Sequence, residues 1–152
     1  MLIFISELAG ALGRAGQTSE GLTTVNEALE RAERTAEGCI MPELLHVKGE
    51  LLRLDGEPGT EDSAEGCFLQ ALQLAGIQGA PAWELRAATS LARLLRDQHR
   101  SADAIACLQP IYDRFTEGFG TADLIAAKRL LDELRGAGGN LVTSVSGAES
   151  EN

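Results

Sequence analysis

Residues Trp83–Leu108 read WELRAATSLARLLRDQHRSADAIACL, a run of alanine, leucine and arginine with almost no residue that does chemistry. Ala88, Leu91, Ala92 and Leu95 fall at steps of three and one, which keeps them on one face of a helix. After His99 the pattern restarts as Ala104, Leu108 and Ile111. This spacing predicts a helix, a short turn and a second helix lying antiparallel to the first.

The same spacing occurs twice upstream. Leu45, Lys48, Gly49 and Leu52 precede Gly56 and then Ala64, Phe68 and Ala71. Ile5, Leu8, Ala9 and Leu12 precede Gly16 and then Gly21, Val25 and Ala28. Small residues recur where the paired helices should cross: Ala9 with Gly21, Gly49 with Ala64, and Ala92 with Ala104. A helix-interior glycine costs about 1 kcal/mol against alanine, so Gly21 and Gly49 point to close approach of another element. The second unit deviates. Its turn, GEPGTEDS, carries three extra residues, Ser63 is the candidate helix cap, and Lys48 stands at a usually apolar position.

Beyond Phe115, Gly118 and Gly120 break the helix, and Thr121 with Asp123 restarts it. Leu124, Ala127, Leu131 and Leu134 then form one apolar stripe, as a helix capping the end of a stack should. The predicted domain spans residues 1–135. From 136 to 152 the chain is Gly/Ser-rich without a sustained helical period, which predicts a disordered tail.

Composition agrees with helix packed on helix. Of 152 residues 44% are hydrophobic but only 4% aromatic, and small side chains let helices approach closely. The formal net charge of −10 argues against nucleic acid or an anionic membrane as partner. Cys39, Cys67 and Cys107 are widely spaced without a C-x-x-C pair and lie within or beside apolar helical runs. They read as buried free thiols in a reducing compartment. The opening MLIFI lacks the basic region of a secretory signal, and no run approaches the roughly 20 apolar residues of a membrane helix. The expected location is the cytoplasm.

The spacing of small and large residues over about 2–134 resembles the tetratricopeptide repeat. The resemblance implies a right-handed all-α solenoid of about three hairpins plus a C-terminal capping helix, with a concave peptide-binding face. A narrower likeness covers about 43–134, in ELLHVKGELL, AEGCFLQALQLA, WELRAATSLARLLRDQ and FTEGFGTADLIAAKRLLDEL. These stretches are similar to the C-terminal repeat region of large bacterial signalling proteins with adenylate/guanylate cyclase-like and AAA-type ATPase domains. The chain has no G-x-x-x-x-G-K-[ST] and no cyclase residues, so neither activity is implied. The resemblance implies a fragment or a free-standing relative of that region.

No nucleophile, acid–base pair or phosphate loop emerges, so no enzyme activity and no cofactor is expected. His46, Glu43 and Glu50 share a helical face, which reads better as a solvated polar face than as a metal site. Trp83 reads as packing the start of its helix against the preceding unit. In a tetratricopeptide-like stack the first helix of each hairpin lines the groove. The residues off its packing stripe are Ile3, Ser6, Gly10 and Arg14, then Glu43, His46, Glu50 and Arg53, then Arg86, Thr89, Ser90, Arg93 and Arg96. The last three arginines span an arc of roughly 80° at 100° per residue, so their charges reinforce one another, and arginine's planar fork suits carboxylates.

The candidate partner-binding residues are therefore Arg53, Arg86, Arg93, Arg96, His46, Glu50, Thr89 and Ser90. The expected function is a scaffold holding a protein or acidic peptide. The opposing reading pairs the arginines with Glu84, Asp97 and Asp103 on a solvated face. The other functional class is a regulatory module that packs against an ATPase or cyclase domain, or self-associates. The Lys/Asn carboxylate clamp of chaperone-binding repeats is absent, since Ser6, Glu7, His46, Val47, Thr89 and Ser90 hold those positions.

Overall fold

In a computed structural model, the backbone is described for residues 2–36 and 38–145, and the side chains for 6–36 and 38–137. Within these bounds the chain is all-helical. Its elements are α1 (Leu2–Arg14), α2 (Thr18–Arg34), a 3-10 turn (Gly38–Ile40), α3 (Met41–Asp55), α4 (Thr60–Ile77), α5 (Pro81–Asp97), α6 (Ser101–Asp113) and α7 (Ala122–Val145). Each helix packs on the next in sequence, and α1, α3, α5 and α7 also touch in order, α1 on α3, α3 on α5 and α5 on α7.

The crossing residues sit where close packing needs them. Ala9, Ala64, Ala92 and Ala104 are fully buried. A Cβ added to Gly21 would come within 2.9 Å of the Ala9 carbonyl oxygen, so the α1 and α2 backbones approach each other directly there. Gly49 answers to a different demand. A Cβ there would lie 2.5 Å from Cε1 of Phe68, and the missing side chain makes room for that ring. The main cluster joins Phe68 on α4 to Leu85 and Leu91 on α5, Leu108 on α6 and Leu131 on α7. A second cluster holds Val25 and Ala28 of α2 with Leu44 and Leu51 of α3, and the half-buried Trp83 packs against it from α5.

The three hairpin turns share one device. Gly16 and Gly56 have φ of +82° and +70°, and His99, at the matching place, has φ of +61°. A left-handed residue lets the chain reverse within three or four residues. Glycine adopts it freely, while a side-chain-bearing residue costs more. The exposed His99 accepts that strain, and the backbone N–H of Arg100 donates to the Leu95 carbonyl at 2.8 Å to close the turn.

Three expectations need correction. Ser63 does not cap α4. Pro58 and Gly59 form the turn, Gly59 at φ +87° stands at the cap, and the Thr60 hydroxyl donates to the Glu57 carbonyl at 2.6 Å, so the helix starts four residues earlier. Cys39 is exposed, because it sits on the 3-10 turn rather than on a packed helix face; Cys67 is buried and Cys107 partly so. Burial raises both inner thiols, that of Cys107 to about 11. The third concerns the tail: α7 continues to Val145, ten residues past the expected domain end at 135. Once a helix is nucleated, each added residue gains a hydrogen bond without a new nucleation cost, which offsets weak local preference. The rest of the expected tail, 146–152, lies outside the described residues.

Among the described residues no helix is long and apolar enough to cross a membrane.

Candidate binding cleft

The face built by α3, α5 and α7 gathers most of the residues singled out in the sequence. His46 from α3 and Arg86, Thr89, Ser90 and Arg93 from α5 line one small cleft with Asp123 and Ala126 of α7. Its volume of about 160 Å³ is below the roughly 300 Å³ at which small-molecule pockets begin. It is sized for one side chain, such as a carboxylate, and not for a metabolite.

His46 lies at the centre. Its Nε2 is 2.8 Å from the Ser90 hydroxyl, and its ring packs against Phe68 at a tilted 47°, with centroids 6.0 Å apart. Burial lowers the imidazole pKa from 6.5, opposed by the Glu50 and Asp123 carboxylates and reinforced by Arg86 and Arg93. The neutral ring is the folded form. Because the folded pKa lies below the unfolded one, the stability this histidine contributes is complete above about pH 6.5 and is lost as pH falls through it. His46→Gln keeps a group that can reach Ser90 and removes the titration. The drop in melting temperature between about pH 7.5 and about pH 5.5 should be smaller in that variant than in the parent. Equal drops would place the acid sensitivity elsewhere.

Thr89 and Ser90 are 6% and 3% exposed. The Thr89 hydroxyl donates to the Leu85 carbonyl at 2.7 Å, and the Ser90 hydroxyl is engaged by His46. Both line the cleft; Ser90 ties α5 to His46 of α3, whereas the Thr89 hydrogen bond stays within α5. Ser6, read as groove-facing on α1, is likewise buried, at 2% exposed.

The arginines divide into those already paired and one that is not. Nε of Arg86 donates to Asp123 Oδ2 at 3.0 Å, and its guanidinium carbon lies 5.7 Å from the Trp83 ring centre. Arg96 turns out of the cleft, to Asp97 at 3.1 Å and to Glu133 at 3.2 Å. Arg53 Nε is 3.9 Å from Glu50, which is also 3.9 Å from His46 Nε2. Arg93 alone among the cleft arginines has no carboxylate partner among the described residues. The expected row of three mutually reinforcing charges is therefore corrected, since α7 supplies carboxylates to two of them. Of the acids expected to do this, Asp97 does so for Arg96, whereas Glu84 pairs with Arg114 and Asp103 with Arg100.

Two buried atoms on α3 have no hydrogen-bond partner among the described residues, Oε2 of Glu43 and Nη1 of Arg53. Burial raises the Glu43 pKa against the pull of Arg86. Sequence reasoning missed Asp123, Ala126 and Glu133. Asp123 had the form of a helix-start residue, and nothing in the spacing tied α7 to the arginines of α5.

A larger cleft of about 710 Å³ opens between α2, α3 and α4, floored by Leu29, Met41 and Leu45 with Lys48 among them. Lys48 thus escapes burial at its otherwise apolar register position. Among the described residues no group of three or more His, Cys, Asp or Glu side chains could hold a metal ion. Compared with known proteins, the chain matches no family model, no curated protein and no solved structure.

Proposed function

We propose that the chain is a protein-interaction module, a tetratricopeptide-like right-handed solenoid whose α3–α5–α7 face holds an acidic segment of a partner. The ordered contacts of α1, α3, α5 and α7 support the stacked arrangement, because a solenoid needs each first helix beside the next. The observation that carries the binding role is Arg93. It offers a guanidinium to a carboxylate-sized cleft whose other walls are already satisfied. A carboxylate entering there gains a charge-assisted hydrogen bond without first breaking an ion pair. Arg86 lines the same site, Arg53 stands two turns along α3 beside Glu50, and Arg96 becomes available only if Glu133 releases it.

The test is binding of a fluorescent peptide of alternating Asp and Leu, followed by anisotropy. The peptide should bind and should weaken as salt rises. Arg93→Ala should lose roughly tenfold or more in affinity, the share of a charge-assisted hydrogen bond of about 1.5–3 kcal/mol. The fold should be intact by circular dichroism. A variant that binds as tightly as the parent at low salt would leave Arg93 as solvated surface and overturn the reading.

A further inference from the structure

Among the described residues helix α1 packs mainly on α2 and α3, and the face it turns away from them is exposed. Its exposed residues are Glu7, Leu8, Ala11 and Arg14, with Ala15 just beyond, a single stripe at helical spacing. Leu8 is 54% exposed. Leu91, which holds the same register position on α5, is 2% exposed because α3 and α4 cover α5 from that side. The repeat therefore sets an apolar side chain on α1 where a further helix would cover it. Leu54 of α3, also 54% exposed, lies on the other side of α1, where a Cβ on the buried Gly13 would be 3.6 Å from it, so it is not part of this stripe.

We propose that a second copy of this chain covers the stripe, with the two α1 helices packed antiparallel. Leu8, Ala11 and Ala15 follow a four-three spacing that the sequence continues back to position 4, which is Phe4. That is the seam of a two-helix coiled coil. Glu7 and Arg14 then occupy equivalent flanking positions seven residues apart. In an antiparallel pair these flanks face each other, so Glu7 of each copy meets the partner's Arg14, twice by symmetry. In a parallel pair they would face apolar positions, and the charges would find no counterpart.

Neither Glu7 nor Arg14 is in an ion pair among the described residues. The pair also makes α1 neutral within a chain of charge −10, so two copies approach through the surface where self-repulsion is least. Small seam residues, Ala11 and Ala15, leave room for the partner's Leu8. The contact area is modest, which puts the pair in the weak, concentration-dependent class.

Sedimentation of the full chain from about 1 μM to about 1 mM spans the range of such an interface. The mass should rise from one chain toward two. Leu8→Glu should hold the mass at one chain across that range, and its exposure in the single chain means the fold survives. Glu7→Arg should shift the transition to higher concentration, by roughly tenfold or more. Adding Arg14→Glu to that variant should bring it back, because the flanking pairs are restored with their signs exchanged. A parent that stays at one chain throughout would overturn the proposal. So would a Leu8→Glu variant that dimerises like the parent, or a double exchange that recovers nothing.

Discussion

Phe68→Ala should lower stability by about 3–5 kcal/mol, the cost of deleting a fully buried phenylalanine side chain from a rigid site. Phe68 is among the largest fully buried side chains and lies in the main cluster with α5, α6 and α7. Its ring sits where a Cβ on Gly49 would be, at 2.5–2.9 Å from three ring carbons. One wall of the resulting cavity would be the α3 backbone, which is slow to collapse. Domains are stable by only about 5–15 kcal/mol, so the loss should be plain in a urea titration. Gly49 makes the test sharper because its effect should change sign. In the parent, Gly49→Ala should destabilise, since the new methyl meets the ring. In the Phe68→Ala background the same change should stabilise, by up to about 1 kcal/mol, the helix preference of alanine over glycine. A Gly49→Ala effect equal in both backgrounds would show that the ring is not what demands glycine.

Ala92→Leu and Ala104→Leu should each cost about 1–3 kcal/mol or more, because both alanines are fully buried at the crossing of α5 and α6. Ala102 is exposed two residues before Ala104, and Ala102→Leu should stay within about 0.5 kcal/mol of the parent. Comparable denaturation midpoints for all three variants would sink the assigned register.

The helical hairpins were legible because their signal is local and repeated. Three copies of one spacing fixed which faces pack, and the two interior glycines marked places where something presses close. Even there the sequence could not say what pressed. Gly21 yields to the Ala9 backbone, as its spacing implied, but Gly49 yields to the ring of Phe68. Turn lengths were less legible, since Pro58-Gly59 can serve equally as loop or as helix entry. The cleft was half legible. His46, Arg86 and Arg93 meet as their helical phase required, because phase within a helix is a property of the sequence. The carboxylates opposite them belong to α7, and Asp123 is 37 residues from the arginine it pairs with. No periodicity encodes that distance. It depends on how α7 lies across α5, and that is decided by the burial of Leu124, Leu131 and Leu134 and not by the charges.

The same carboxylates make α7 a resident competitor. Asp123 and Glu133 are tethered to the arginines they occupy, so each is present at an effective concentration on the order of millimolar or above. A lone carboxylate arriving from solution at micromolar concentration leaves Arg86 and Arg96 where they are. A segment carrying several acids can seat one on Arg93 and, once held there, contest Asp123 for Arg86 on equal terms. On the proposed reading the face would rank ligands by the number of negative charges they bring in one chain, because an isolated acid can engage Arg93 alone while a segment with several acids can reach Arg86 as well.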